Sequence, residues 1–167
     1  MKVAHIVHFS VSVVAVHFLA LTPPLLAGQN SGRKGHIRGT LGYSKVYLDE
    51  PGDVMVAGSV LLALTSHWGI EPEVLWITGD RFEEKGFAVN CVYDFRRQSQ
   101  KLRPYLIGGF GYVQELDKAI NYRRGEMMWN GGVGVRAHFT RGLFVSPEAR
   151  FGFQAVPRLT VSLGYEF

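Results

Sequence analysis

The sequence predicts an all-β chain that closes into an eight-stranded antiparallel up-and-down transmembrane β-barrel. The first observation is the end of the chain, where Leu159, Val161, Leu163, Tyr165 and Phe167 alternate with polar or small residues. Strict alternation indicates a strand, and about ten residues is the length with which a tilted strand crosses a bilayer. The second observation is that the chain from residue 36 onward divides into eight strand-like segments. The third is that short and long connections alternate between them, as in a membrane-spanning meander.

Composition sets the outer limits of this prediction. The chain has 167 residues, of which 47% are hydrophobic and 19% charged, so it has room for one globular domain and a targeting segment. The net charge of +4 is dispersed, and its densest spots are only the pairs Arg96–Arg97 and Arg123–Arg124. We therefore expect no nucleic-acid binding. Cys91 is the single cysteine, which excludes an intramolecular disulfide and any C-x-x-C metal or redox motif.

The first 28 residues have the pattern of a secretory signal peptide. Lys2 is followed by a long apolar run, then by Pro23–Pro24 and small residues at Ala27–Gly28. An uncleaved membrane anchor is the alternative, since the run is nearly long enough to span a bilayer. We predict a signal peptide over 1–28, a polar lead-in over 29–35 and a barrel over 36–167.

The first four strands are predicted from alternation between turn-forming segments. In the first, Ile37 and Leu41 lie opposite Arg38, and in the third Val74 lies opposite Glu71 and Glu73. The second is apolar throughout, so its facing stays open. The predicted strands are His36–Lys45, Val54–Leu64, Ile70–Thr78 and Phe87–Phe95, and the predicted long loops among them are Leu48–Asp53 and Gly79–Gly86.

The last four strands follow the same pattern. Trp129 and Val133 lie opposite Arg136, and Ala149 lies opposite Glu148 and Arg150. The predicted strands are Arg103–Gln114, Met128–Phe139, Leu143–Phe153 and Arg158–Phe167, and the longest predicted loop is Glu115–Glu126. Pro72 and Pro147 interrupt two strands, and we expect them at strand ends or bulges because proline cannot donate to a ladder.

The charged residues favour a membrane barrel over a soluble one. A soluble eight-stranded calyx would alternate in the same way, with its apolar face turned inward. The basic residues opposite the apolar stripe are all arginine, namely Arg38, Arg136, Arg150 and Arg158. The acids on the same faces are Glu71, Glu73, Asp94, Glu148 and Glu166. Arginines and carboxylates in near balance suit a narrow enclosed lumen, because an arginine fork can satisfy a buried carboxylate with two hydrogen bonds.

Three stretches resemble the outer-membrane β-barrel family typified by OmpA and OmpX. They are the proline-aromatic-glycine segment Pro104–Tyr112, the hairpin from Gly131–Arg136 to Glu148–Phe151, and the terminal segment Leu163–Phe167. The resemblance covers residues 36–167. It implies a bacterial outer-membrane location and partners that include outer-membrane lipids and the barrel-assembly machinery. It also implies that Tyr165 and Phe167 act as a C-terminal assembly signal.

The candidate site is a network of ion pairs within the lumen. We predict that it comprises Arg38, Glu71, Glu73, Asp94, Arg136, Glu148, Arg150 and Glu166. Because eight strands leave an interior just filled by side chains, we expect a structural or surface-interaction barrel that meets an unknown extracellular partner through its loops. The alternatives are a narrow ion or proton channel and a soluble lipocalin-like ligand-binding barrel.

An enzyme, a metal site and a cofactor are not predicted. His138, Ser146 and Glu148 lie on adjacent predicted strands with inward parity and could form a hydrolytic trio. Small barrels that cleave lipid A carry a histidine-any-serine pattern, but here His138 is followed by Phe139 and Thr140. Such a site must also face the bilayer, whereas these residues point inward. Cys91 has apolar parity and is expected to be a buried, unreactive thiol.

Overall fold

A computed structural model describes residues 35–44, 52–95, 101–140, 142–152 and 157–167. The predicted signal peptide and residues 29–34 of the lead-in lie outside these ranges, as do residues 48–51 of the first predicted loop. The described residues form eight strands: β1 (His36–Ser44), β2 (Asp53–Ala63), β3 (Trp68–Thr78), β4 (Phe82–Asp94), β5 (Leu102–Asp117), β6 (Tyr122–His138), β7 (Leu143–Gly152) and β8 (Pro157–Glu166). No helix in these ranges is long and apolar enough to cross a bilayer.

The strands form a closed barrel in which each strand pairs antiparallel with its neighbours along the chain. The ring closes where β1 pairs with β8, from His36 opposite Glu166 to Ser44 opposite Arg158. Because a closed ring has no edge strand, its backbone hydrogen bonds are made within the sheet, as lipid requires. The predicted eight-stranded antiparallel barrel is confirmed.

The apolar face of the strands is turned outward. Leu159, Val161 and Leu163 expose 60%, 55% and 59% of their surface, while Thr160 and Ser162 between them are buried. The ambiguous β2 obeys the same rule, because Val54 and Val56 point out whereas Met55 and Ala57 point in. A soluble calyx would place its apolar face around a cavity, so that alternative is wrong.

Two predicted loops are wrong in length. The segment Gly79–Gly86 contains only a short turn before β4 begins at Phe82, and Lys85 therefore belongs to a strand. The segment Glu115–Glu126 is mostly strand, since β5 ends at Asp117 and β6 begins at Tyr122. Asn121, with φ at 51°, completes the four-residue turn between them. Charged residues had indicated loops, but here they alternate between the two sides of extended strands.

The two prolines lie in the middle of their strands and not at ends or bulges. Pro72 pairs in register with Val89 on β4, and Pro147 pairs in register with Val161 on β8. On the other side of each strand the pairing skips the positions around the proline, between Glu73 and Ile70 and between Glu148 and Val145. The missing proline N–H thus interrupts one ladder and leaves the other intact.

The two ends of the barrel are named here by the chain. The "terminal end" is where β1 begins and β8 ends, and the "loop end" is the opposite one. The strands of the loop end differ in reach, because β5 and β6 have 16 and 17 residues whereas β1 has 9. Among the strands that the structure describes, the hairpin of β5 and β6 therefore extends farthest at the loop end.

Candidate functional site

Arg38 and Glu71 form the centre of the barrel interior. Arg38 is on β1 and Glu71 on β3, and both side chains are 0% exposed. Arg38 donates from Nε and Nη2 to Oε1 of Glu71, at 3.1 and 2.5 Å. Its third nitrogen, Nη1, donates to Oε2 of Glu148 on β7 at 3.1 Å. One guanidinium therefore joins three strands across the lumen.

Arg150 repeats this arrangement one step toward the loop end. It donates from Nη1 and Nη2 to the two carboxylate oxygens of Glu73, at 3.0 and 2.8 Å. Its Nε donates to Oε1 of Glu148 on its own strand. Glu148 thus lies between two arginines, and Arg38, Glu71, Glu73, Glu148 and Arg150 form one connected layer. We call this set the central layer.

Tyr105 on β5 completes the central layer and was missed from the sequence. Its hydroxyl donates to Oε2 of Glu148 at 2.6 Å and lies 2.8 Å from the hydroxyl of Ser146. The ring is 1% exposed, and Gly134 makes room for it, because a Cβ there would lie 2.4 Å from the ring. Alternation along β5 could have shown that Tyr105 faces inward. Pro104 and the glycines that follow obscure that alternation, so the inward side of β5 was not identified.

The other three predicted residues lie nearer the terminal end. Arg136 donates from Nη1 to Oδ1 of Asp94 at 2.5 Å. Glu166 accepts from Nη1 of Arg103 at 3.0 Å, and its Oε2 lies 2.9 Å from Nε2 of His138. Arg103 was also missed, for the same reason as Tyr105. All eight predicted luminal residues therefore face the interior, in a central layer and a second group near the terminal end.

An aromatic ring fills the interior beside the second group. Phe144 is fully buried between two histidines, with ring centroids 5.0 Å from His36 and 5.3 Å from His138. Gly164 accommodates it, since a Cβ at that position would lie 2.2 Å from the ring. A cavity of about 20 Å³ remains nearby, lined by residues that include His36 and Arg136. That is room for about one water molecule.

An aliphatic cluster occupies the lumen toward the loop end. It consists of buried residues from β2, β3, β4 and β6, namely Met55, Ala57, Leu75, Ile77, Ala88 and Met128. Next to it, Asn130 donates to Asn90 across the interior at 3.0 Å. The interior is therefore charged at its middle and partly aliphatic above it. Because β2 is apolar throughout, its inward side could not be identified from the sequence, and this cluster was therefore not predicted.

The residues of the rejected hydrolytic trio are bound to other groups. His138 contacts Glu166, whereas Ser146 and Glu148 share the hydroxyl of Tyr105, and Glu148 also binds the two arginines of the central layer. Within the described ranges, no group of three or more His, Cys, Asp or Glu residues is arranged to hold a metal ion.

The predicted assembly signal and the lone cysteine lie on the outer surface. Tyr165 and Phe167 expose 48% and 53% of their surface, and the backbone N–H of Phe167 donates to the carbonyl of Gly35 at 2.9 Å. Cys91 is exposed beside Gly108, so the expectation of a buried thiol is wrong. Its apolar parity was read correctly, but in this barrel that parity leads outward.

Comparison with known proteins finds a family model and solved structures that match this architecture. The family described as "Outer membrane protein beta-barrel domain" matches residues 10–167. A search of curated proteins finds no match. The N-terminal barrel of Pseudomonas aeruginosa OprF is similar in structure, with a TM-score of 0.69 and 16% identity over 81% of this chain and 98% of that one.

Two further solved structures share the fold. Neisserial surface protein A has a TM-score of 0.63 and 13% identity over 81% of this chain and 96% of its own. Ail, the attachment invasion locus protein of Yersinia pestis, has a TM-score of 0.55 and 15% identity over 83% of this chain and 100% of its own. At these identities the likeness concerns the fold alone.

Proposed function

The chain belongs to the outer membrane protein β-barrel family, and on that premise we propose that it is a non-conducting barrel that acts through its loop end. Membership places it in the bacterial outer membrane. In the proposed orientation the terminal end faces the periplasm and the loop end faces the exterior. The role is structural or adhesive: the barrel anchors the hairpin of β5 and β6, which contacts a partner outside the cell.

The proposal that the barrel does not conduct rests on the ion pairs of the central layer. Arg38 and Arg150 each bind two carboxylates, and Glu148 is common to both. Opening a path would separate charges that are buried on every side, and breaking one buried pair typically costs about 3–5 kcal/mol. Phe144 on one side and the aliphatic cluster on the other narrow the lumen further.

The loop end supports an interaction role because its turns are held together. Lys118 donates from its backbone N–H to the carbonyl of Arg81 at 2.9 Å and from Nζ to the carbonyl of Gly79 at 2.6 Å. The turn after β3 and the turn after β5 are thus tied to each other. We call these two joined turns the ridge. Ile120 lies in the second turn and Tyr122 follows it, and they are 71% and 59% exposed. A rigid ridge that presents an aliphatic and an aromatic side chain suits recognition, because little order has to be gained on binding.

A structural neighbour gives this role a precedent. Ail is named for attachment and invasion, and it has been crystallised with the heparin analogue sucrose octasulfate. We propose by analogy an extracellular partner for this chain, contacted through the ridge.

Export and assembly complete the proposal. Residues 1–28 act as a signal peptide, residues 29–35 as a polar lead-in, and the terminal strand with Tyr165 and Phe167 is read by the barrel-assembly machinery. The apolar side chains of β8 point outward, so an assembly factor can contact them before β8 pairs with β1. This supports the proposal that the terminal strand is recognised during assembly.

Planar-bilayer recording of the refolded protein tests the closed state. We expect no steps above baseline for the wild type, and rare small steps for Arg150→Ala, which shortens the side chain at the central layer. Glu83→Gln, which changes an outward-facing carboxylate on β4, is the matched control and should stay silent. Regular steps from the wild type, in preparations whose gel mobility changes on boiling, would contradict the proposal and favour a narrow ion or proton channel.

A further inference from the structure

We propose that the small cavity inside the terminal end of the barrel binds a monovalent anion of about the size of chloride, held by Arg136. We call it the terminal cavity. The charged and histidine side chains on its wall are His36, Asp94, Arg103, Arg136 and Glu166. The inference goes beyond the proposed function, because it concerns the interior at the terminal end and not the loops.

The first observation is that the guanidinium of Arg136 is incompletely bonded. Its Nη1 donates to Asp94, whereas Nε and Nη2 are buried and have no hydrogen-bond partner among the residues that the structure describes. In the central layer, by contrast, Nε, Nη1 and Nη2 of Arg38 and of Arg150 all donate to carboxylates. The lumen can therefore saturate an arginine completely, and at Arg136 two buried donors are left over.

The second observation is the geometry of these two donors. Nε and Nη2 lie along one edge of the planar guanidinium, which can give two parallel hydrogen bonds to a single acceptor group. Arg38 uses the same edge for Oε1 of Glu71. The ring of Tyr105 covers the face of the Arg136 guanidinium, with Cζ 4.3 Å from the ring centroid. Asp94 and Tyr105 thus hold Arg136 in place, and its two-donor edge remains for another acceptor.

The third observation is the space on the wall opposite Arg136. The inward positions of β2 and β3 in this part of the lumen are Ala63 and Gly69, which have little or no side chain. Thr65 and Ser66, in the exposed turn between these strands, also line the terminal cavity, so it opens toward the terminal end. Its volume of about 20 Å³ holds about one water molecule. An ion not much larger than water fits, whereas a phosphate does not.

The chemistry of the two-donor edge favours an anion over a water molecule. Asp94 and Glu166 are acids on the wall of the terminal cavity, and each already accepts a hydrogen bond from an arginine. The donors of the edge belong to a charged group, and hydrogen bonds from such a group to an anion are roughly twice as strong as bonds between neutral partners. One anion therefore satisfies two buried donors that otherwise cost free energy.

The test measures the width of the chloride nuclear magnetic resonance line in sodium chloride solutions of the refolded protein in a non-ionic detergent. Chloride that exchanges with a protein site gives a broader line than free chloride. Arg136→Lys keeps the positive charge and loses the two-donor edge. Ala63→Leu fills the terminal cavity and leaves the ion pairs in place. The matched control is Arg123→Lys, the same exchange at an exposed position of β6 near the loop end.

We expect the wild type and Arg123→Lys to broaden the line equally, and the broadening to saturate as chloride is added. Arg136→Lys loses one of two charged hydrogen bonds, so its dissociation constant for chloride should rise at least about tenfold. Ala63→Leu should abolish the saturable broadening. Replacing chloride by gluconate, which is too large for the terminal cavity, should lower the thermal midpoint of the wild type at constant ionic strength and leave that of Ala63→Leu unchanged, because a ligand of the folded state stabilises it.

Three results would overturn the proposal. Equal broadening by the wild type and Ala63→Leu would place the chloride on the outer surface. Broadening no greater than that of detergent alone would mean that the terminal cavity holds water. An Arg136→Lys variant that binds chloride as the wild type does would remove Arg136 from the site, and if that variant does not fold, Ala63→Leu decides alone. A barrel that stays silent in planar bilayers and binds no chloride defeats only this inference and leaves the proposed function standing.

Discussion

Arg150 on β7 and Glu73 on β3 bind each other through two hydrogen bonds, of 3.0 and 2.8 Å, although their strands lie on different sides of the ring. Both side chains are almost fully buried, at 3% and 1% exposure. The pair therefore links two strands across the lumen. Backbone pairing joins only neighbouring strands and cannot make such a link. We call this pair the central strut.

Removing one partner of this strut should be costly. Arg150→Met leaves Glu73 as a buried carboxylate without its bidentate partner, and we expect a loss of about 3–5 kcal/mol in the free energy of unfolding. Urea titration followed by gel mobility measures it. The control Glu83→Gln breaks the pair with Lys85 on the outer surface and should cost less than about 1 kcal/mol. Equal losses in the two variants would mean that the Arg150–Glu73 pair contributes no more to stability than the pair on the outer surface.

The double variant Arg150→Met with Glu73→Leu should regain most of that loss. Both charges are then absent, and two apolar side chains of similar size replace a pair whose burial itself costs free energy. The same urea titration gives the coupling between the two sites as a double-mutant cycle. Simple additivity of the two single losses would show that the residues act independently.

Tyr105 should contribute through its hydroxyl. Tyr105→Phe removes the donor to Glu148 and the contact with Ser146 while keeping the ring, and we expect a loss of about 1.5–3 kcal/mol because one partner is charged. Thermal unfolding in detergent measures it. Tyr93→Phe, on the outer surface among Trp68 and Phe95, is the control and should change stability by less than about 0.5 kcal/mol. A Tyr105→Phe variant as stable as this control would remove Tyr105 from the central layer.

The facing of most strands could be predicted from the sequence, because polar and apolar residues alternate without a break. On β3, Glu71 and Glu73 between apolar neighbours placed two central carboxylates correctly inside. On β5, by contrast, Pro104 and a run of glycines concealed the parity, and Arg103 and Tyr105 were missed. Small residues carry no information about which side of a strand meets lipid.

The partners within the lumen could not be predicted. Arg38 binds residues 33 and 110 positions away along the chain. Which carboxylate it meets depends on the stagger of strands that are not neighbours, and alternation along one strand does not encode that stagger. The length of the hairpin after Tyr112 was hidden for another reason: Glu115 and Arg124 face each other across a ladder, but in sequence they resemble a charged loop.

Two adjacent glycines on β6 should differ sharply in their tolerance of alanine. A Cβ at Gly132 would lie 2.4 Å from the carbonyl oxygen of Ala149 and 2.9 Å from the Cα of Arg150, so the backbone of β7 would have to move. A Cβ at Gly131 meets nothing within 4 Å. We expect Gly132→Ala to cost about 1–3 kcal/mol and Gly131→Ala less than about 0.5 kcal/mol. Urea unfolding of the two variants side by side decides, and equal stabilities would contradict the close approach.

Phe144 should support the terminal end of the lumen. Phe144→Ala removes a fully buried ring between His36 and His138, and such truncations cost about 3–5 kcal/mol. Phe110→Ala, which removes a ring that is 72% exposed on the outer surface, should cost less. The midpoint of thermal unfolding compares them, and the reverse order would place the tightly packed side of the sheet outside.

The outward direction of the apolar face is most directly tested by tryptophan quenching. The chain has three tryptophans, and Trp68→Phe with Trp76→Phe leaves only Trp129, which is 51% exposed on the outer surface. In vesicles, lipids brominated on their acyl chains should quench its fluorescence strongly, while aqueous iodide should have little effect. Efficient quenching by iodide with no response to brominated lipid would mean that this face meets water, and the membrane barrel described here would be contradicted.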